Sequence, residues 1–493
     1  MTPPASPAAR LSGWVGVIAA AQFVVLVATS TRYGFHRDEM YFIVAGSHPA
    51  LGYPDQPPLV PLLSWGMHAL APGSLAVLRL PSALAAAATT ILAALVAREL
   101  GGGRRAQVIA AACTASSGFA LAVGHFVTTT TFDLLSTTAF GWLMIRAVAR
   151  RSGVSVLAAG VVVGVGCDAK PLVGLVAAVA VGTLLVAGPR WLSRSWWTAA
   201  GIVAAIALAA PYAIWQQRHG WPQLTVAGNI GGSAEGGRIG FVPFQLVMVS
   251  PLLVPVWIAG LLAPFRRAAL RGLRFVPLTY AVLAVAYIAG NGKAYYLASL
   301  YPVLLGVGAL PTADWTRARA RVPLLATAIV LSAAIGAVIA LPLLPETALK
   351  GSIVIAINPD QGETVGWPRF VETVSTVWRL LPPAERRHTA IFTDNYGEAG
   401  AVDLFGHSHG LPRAYSGHNG FSEWGQPAAS DTRALLIGYD SAADAASAFD
   451  RCRRLATVDN GVDLDNQEQG LPLLLCRTTA LWSRLWPHLT HYN

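Results

Sequence analysis

Residues 11–42 read LSGWVGVIAAAQFVVLVATSTRYGFHRDEMYF, and two features of this stretch decide what kind of fold the chain has. Its first part is an apolar run near the ~20 residues that an α-helix needs to cross a bilayer. Its second part, Tyr33–Phe42, places Arg37 and the adjacent carboxylates Asp38 and Glu39 just beyond that run. In a chain this poor in charge, such a placement points to chemistry.

The whole chain of 493 residues is 54% hydrophobic and only 12% charged, with a mean hydropathy of +0.51. Soluble globular chains carry about 25% charged residues, so the composition is that of an integral membrane protein. Further apolar runs begin at about residues 78, 106, 131, 154, 171, 197, 242, 275, 294 and 322, which predicts about eleven spans. The weakest division lies at Cys167-Asp-Ala-Lys-Pro171, which barely separates two apolar stretches. The run Leu59–Leu70 is too short to span and is expected to lie along the interface.

Charge divides the chain in two. Residues 1–344 hold 23 Lys/Arg and 8 Asp/Glu, whereas residues 345–493 hold 12 and 17. The expected domains are a membrane part, 1–344, with a first outer loop at 31–77, and a soluble tail, 345–493. If Arg10 is cytoplasmic, sixteen of the 23 basic residues fall on inner loops and seven (Arg32, Arg37, Arg79, Lys170, Arg218, Arg238 and Lys293) fall outside. The positive-inside rule then puts the tail on the outer side of the cell membrane. Acids run the other way: only Glu99 and Asp314 fall inside, while Asp38, Glu39, Asp55, Asp133, Asp168 and Glu235 gather outside. Ionisable groups near a bilayer are costly and mark functional cavities.

The first outer loop continues as Gly52-Tyr-Pro-Asp-Gln-Pro-Pro58, a rigid turn that can hold Asp55 and Gln56. Residues 36–46 are expected to form a short amphipathic helix with Asp38 near its start, where the helix dipole favours negative charge. An ionised carboxylate at the water boundary can deprotonate an acceptor or help to hold a metal. The plainer reading is an ion pair of Asp38 or Glu39 with Arg37 or Arg32 that only shapes the loop.

Taken together, HRDEMYF, GYPDQPPLVPLL, GKAYYLASLYPVLLGVGA, DNYGEAGAVDLFG and SGHNGFSEWG resemble the bacterial members of glycosyltransferase family 39. These are GT-C superfamily membrane enzymes related to protein O-mannosyltransferases and the lipid A aminoarabinose transferase. The resemblance implies a GT-C-like polytopic α-helical fold. It also implies transfer of a sugar, with inversion, from a polyprenyl-phosphate donor to a glycan, lipid or protein acceptor on the outer face. It maps the catalytic base onto Asp38, with Glu39 beside it, and a second acid onto Asp133. It places cations for the lipid phosphate at Lys170 and Lys293. Arg37, Asp55 and Gln56 in the first loop are further substrate-binding candidates.

The residues support this reading on their own terms. Lys170 and Lys293 are the only lysines in residues 1–344. At outer helix ends, a lysine stem can snorkel while its ammonium neutralises a phosphate leaving group; interfacial anchoring is the plainer alternative. Tyr295, Tyr296 and Tyr301 can line a donor groove or form an interfacial aromatic belt. Gly228–Gly237 lacks the ending of a phosphate-binding loop and suits a mobile lid or a plain connector.

The tail reads as a small α/β domain, with strands at 388–394, 433–439 and 471–477 and a helical stretch after each of the first two. Asn395, Tyr396, Glu398, His418 and Asn419 lie in family-like motifs. His407, His409 and His418 lack the spacing of a structural zinc site. No cofactor is required by the sequence, a divalent cation is allowed, and no feature calls for nucleic acid. Cys113 and Cys167 read as membrane residues; Cys452 and Cys476 either pair or remain two free buried thiols. The competing class, a lipid-linked-sugar transporter or flippase, would concentrate ionisable groups at mid-bilayer in broken helices with repeat symmetry.

Overall fold

The computed structural model describes residues 10–233 and 237–493; Glu235 lies outside them. Each of the apolar runs falls on a helix or a bent helix pair. Among the described residues, four helices are long and apolar enough to cross a membrane: Leu75–Glu99, Trp196–Arg218, Ala294–Trp315 and Arg321–Ala340. Two bent pairs, Arg104–Ala115 with Gly118–His125 and Arg238–Val249 with Pro251–Arg266, raise the number to six. Gly13–Thr29, Gly153–Cys167, Leu172–Ala187 and Phe275–Ala289 are shorter apolar helices.

The chain forms two compact units, and their boundaries are not those expected from composition. The first comprises the residues up to Ser30, then Arg79–Trp215 and Ile230–Leu341; the second comprises Thr31–Leu78, Gln216–Asn229 and Pro342–Asn493. The first outer loop thus belongs to the same compact unit as the tail.

The first unit is a helical body held by close backbone approach. A Cβ on Gly260 would lie 2.0 Å from the carbonyl oxygen of Leu304, and one on Gly308 would lie 2.0 Å from that of Val256. Helices Val254–Arg266 and Tyr301–Trp315 therefore meet backbone to backbone, as small residues permit in membranes. Gly308→Ala should lower stability by about 1–3 kcal/mol or more, because overpacking must push the two backbones apart. Thermal unfolding in detergent measures this, and a native melting temperature would contradict it. The two acids expected on the inner side are bound structurally: Glu99 accepts from Arg146 at 2.9 Å and Arg150 at 2.6 Å, while Asp314 accepts from Arg267 at 2.9 Å and Arg317 at 2.8 Å.

Broken helices do occur, a feature expected of the competing transporter class. Their breaks carry serines, however. Ser117 caps Gly118–His125 by accepting from the Ala120 amide at 3.3 Å, and Ser250 Oγ lies 2.8 Å from Ser332 Oγ.

The second unit contains a five-stranded sheet. Its strands are β1 Thr389–Thr393, β2 Ala414–Ser416, β3 Arg433–Ile437, β4 Phe449–Thr457 and β5 Pro472–Thr478, in spatial order β2-β1-β3-β5-β4. β1 pairs in parallel with β2 and β3, whereas β5 runs antiparallel to β3 and β4. A helix, Tyr396–Phe405, follows β1 as expected; turns, not a helix, follow β3. A Cys452–Cys476 disulfide ties β4 to β5, resolving the cysteine alternatives in favour of pairing.

The first loop contributes helices Arg37–Gly46 and Leu59–Leu70. Residues 37–46 are helical as expected but not amphipathic, because every side chain from Glu39 to Gly46 is buried. A helix covered on all sides needs no polar face. Part of that cover is Tyr396–Phe405, against which it packs with little space: a Cβ on Gly400 would meet Met40 Cβ at 3.2 Å and one on Gly397 would meet Arg37 Cβ at 3.0 Å. In place of the expected loop at 228–233 stands the end of another helix, Pro222–Ser233.

Candidate active site

In the second unit, the fold separates the acids of the first loop by environment. His36 precedes helix Arg37–Gly46, accepting from the Asp38 amide through Nδ1 at 3.2 Å, while the His36 amide donates to Glu39 Oε2 at 2.9 Å. Glu39, fully buried, is therefore engaged in closing the helix start. Asp38 stands in the same first turn with 31% of its side chain exposed. Its Oδ1 accepts from the Tyr396 hydroxyl at 2.8 Å.

Asp55 is held differently. The Tyr41 hydroxyl donates to Asp55 Oδ1 at 2.7 Å and accepts from the Gly420 amide at 3.0 Å. Burial pushes the Asp55 carboxyl up to about 7, a rise tempered by the Tyr41 bond. Gln56 is buried, with its side chain against Tyr41 and its carbonyl accepting from the Tyr53 amide at 2.9 Å. The Tyr41 and Tyr396 rings lie 4.7 Å apart, so the two Tyr–Asp pairs adjoin.

Arg37 lies behind this pair of acids. Its guanidinium is 3.5 Å from Glu363, sits over the Tyr396 ring at 4.9 Å, and is only 13% exposed. The buried Glu468 and Glu398 lie within electrostatic reach of Arg37, so with the half-buried Glu363 three carboxylates share one guanidinium. One cation cannot balance three anions in low dielectric, so protons are retained. Burial pushes Glu468 up to about 8, assisted by Glu363, and raises Glu398 well above the usual carboxylate range, assisted by Glu468. His418 lies tilted against the Tyr396 ring at 4.9 Å and stacks on His491 at 4.5 Å, and burial lowers it to about 3, leaving it neutral. His407 and His409 are exposed. Among the described residues, no group of three or more His, Cys, Asp or Glu is arranged to hold a metal.

The remaining candidates gather in the first unit. Lys170, between helices Gly153–Cys167 and Leu172–Ala187, donates to Thr130 Oγ1 at 2.7 Å. Its ammonium lies 5.1 Å from the Tyr295 ring centre and 5.5 Å from that of Tyr296, within cation–π range. Phe119 stacks on Tyr295 at 6.4 Å, and Tyr287 meets Tyr296 edge-on at 5.4 Å. Tyr301, buried, instead donates to Gln245. Asp133, buried on helix Thr129–Arg150, accepts from Thr137 at 3.1 Å. Asp133 and Lys293 are both within electrostatic reach of Lys170. This is a cluster of two cations and two aromatic rings with Asp133 within electrostatic reach.

The structure thus brings Arg37, Asp38, Glu39, Asp55 and Gln56 together in one unit and Asp133, Lys170, Lys293, Tyr295 and Tyr296 in the other. Sequence reasoning did not single out Tyr41, Glu363 or Glu468. Tyr41 lies within the HRDEMYF motif, but the two glutamates lie in stretches with no motif.

This architecture matches known membrane enzymes. The ArnT structure from Cupriavidus metallidurans bound to undecaprenyl phosphate aligns at TM-score 0.61 and 13% identity, covering 96% of this chain and 99% of that one. The apo form of the same protein aligns at 0.58 and 14%, covering 94% and 98%. The apo oligosaccharyltransferase of Archaeoglobus fulgidus aligns at 0.49 and 14%, over 81% and 64%. At such identities the likeness is one of fold, to the ArnT structures over nearly the whole of both chains. The family model described as dolichyl-phosphate-mannose-protein mannosyltransferase matches residues 55–215, about a third of the chain. The chain's resemblance to the GT-C superfamily, read from its motifs, is thereby borne out. A search of curated proteins by sequence returns no match.

Proposed function

We propose that this protein is a membrane glycosyltransferase that moves a sugar from a polyprenyl-phosphate donor to an acceptor on the outer face of the cell membrane, with inversion at the anomeric carbon. Asp38 is the general base and Lys170 the principal phosphate-binding cation. The observation that carries the reading is the division of labour among the first-loop acids. Glu39 caps a helix and Asp55 is held by a fully buried phenol, Tyr41, whereas Asp38 keeps a carboxylate that is 31% exposed and accepts from the part-exposed Tyr396 through Oδ1. In an inverting displacement the acceptor hydroxyl loses its proton to the base as its oxygen bonds to the anomeric carbon. The polyprenyl phosphate departs with the electron pair of the broken bond. Lys170 stabilises the charge developing on that phosphate, and Lys293 adds a second positive charge nearby. Asp133 orients Lys170 or the acceptor.

The family model matched by residues 55–215 and the undecaprenyl phosphate bound by ArnT support a lipid-linked donor. The test is release of polyprenyl phosphate from a labelled lipid-linked sugar in membranes that hold the protein and its acceptor. Release that depends on the Asp38 carboxylate is expected, and equal release by Asp38→Asn would refute the assignment.

The same reading includes about eleven spans with the N-terminus inside and the sheet-bearing tail outside, supported by the basic asymmetry. The Cys452–Cys476 disulfide is at home on an oxidising side. Cysteines placed at Leu51 and His409, both exposed, should react with an impermeant reagent from outside, and one at Arg271 only from inside. Labelling at 409 from the cytoplasmic side alone would reverse the orientation.

A further inference from the structure

We infer that Tyr396 is the positioning residue for Asp38, so that the tail contributes a side chain that sets the working geometry of the proposed base. The inference rests on the reading of Asp38 as that base.

A carboxylate in the first turn of a helix, 31% exposed, has rotational freedom that a general base must lose before it reacts. Tyr396 removes it by donating to Oδ1 at 2.8 Å, which leaves Oδ2 for the acceptor; His36 Nδ1, which itself accepts from the Asp38 amide, lies 4.0 Å from Oδ2. The phenol is itself held on several sides. Arg37 covers one ring face at 4.9 Å, and Tyr41 and His418 lie against the ring at 4.7 and 4.9 Å.

Its backbone is equally fixed. Tyr396 opens helix Tyr396–Phe405, whose start is closed reciprocally: Asn395 Oδ1 accepts from the Glu398 amide at 3.0 Å, and the Asn395 amide donates to Glu398 Oε2 at 3.3 Å. Gly397 and Gly400, at the spacing of one helical turn, let that helix lie directly on Arg37–Gly46. Burial and the negative charge of Asp38 hold the Tyr396 phenol well above its ordinary titration range, so it remains a donor and does not compete as a base.

The experiment is the pH dependence of donor turnover by full-length Tyr396→Phe in membranes, beside Asp38→Asn. Loss of a hydrogen bond to a charged group should lower kcat by roughly 10- to 100-fold, leave KM for the lipid-linked sugar unchanged, and move the acidic limb of the rate profile to higher pH. A second variant, 3-fluorotyrosine at position 396, keeps the ring and the bond with a more acidic donor; it should move that limb to lower pH. A merely structural tyrosine would change the yield of folded protein and leave both limbs in place, which overturns the inference. If Asp38→Asn is inactive while both Tyr396 variants keep the native profile, positioning by Tyr396 fails and the base stands. If Asp38→Asn turns over normally, the base assignment itself fails.

Discussion

Asp38→Asn should abolish measurable transfer, with turnover lower by about 100- to 10,000-fold, the usual contribution of a general base. The asparagine keeps the size of the side chain, and its carbonyl oxygen can still accept from the Tyr396 hydroxyl, which lies 2.8 Å from the native Oδ1. Basicity and charge are what it lacks. The neighbouring carboxylate supplies the contrast. Glu39→Gln retains an acceptor for the His36 amide and with it much of the helix closure, so its turnover should stay within a few-fold of native while stability falls by roughly 1 kcal/mol or less. Two adjacent acids then give opposite results for a stated geometric reason. The measurement is release of labelled polyprenyl phosphate with the acceptor present, at matched amounts of folded protein. Near-native turnover by Asp38→Asn would return the Asp-Glu pair to loop structure.

The positions of the apolar helices were legible because a long apolar run is a strong local signal. The rarity of lysine made Lys170 legible in the same way, since a charge in such surroundings needs a reason. What stayed hidden depends on residues far apart in sequence. Helix Arg37–Gly46 was expected to keep a polar face, yet part of what covers it belongs to 396–405, more than 350 positions away. Glu363 and Glu468 meet Arg37 for the same reason. The two strands that escaped notice had local causes: β2 is only three residues long, and β4, FDRCRRLAT, is a mostly exposed edge strand with no clear alternation. One missed signal was available. Asn395-x-x-Glu398 has the spacing of a reciprocal helix cap, and it marks the start of the helix that carries Tyr396. The partition of the first loop into the second unit was not legible, because composition reports which residues are polar and not which of them pack together.

Lys170→Ala should lower turnover of the lipid-linked donor by on the order of 100-fold, the usual loss when one preorganised electrostatic stabiliser is removed. Lys170 donates to Thr130, faces the rings of Tyr295 and Tyr296, and shares its surroundings with Lys293. Two ammonium groups within each other's reach repel, and Asp133 supplies one negative charge against them. An arriving phosphate would relieve that repulsion, and it would gain most as the sugar leaves and its charge grows. Binding and turnover should therefore separate, with kcat falling more than KM rises. Tyr295→Phe and Tyr296→Phe keep the aromatic faces over which the ammonium sits and should change turnover only a few-fold. Lys293→Ala should fall between these and Lys170→Ala, because Lys293 acts at longer range. An interfacial anchor predicts a different pattern: Lys170→Ala would reduce the yield of inserted protein, and the molecules that did insert would use donor at the native rate. Native donor kinetics in both lysine variants would leave the leaving phosphate without a cation among the residues assigned here and would remove the donor-binding half of the proposal.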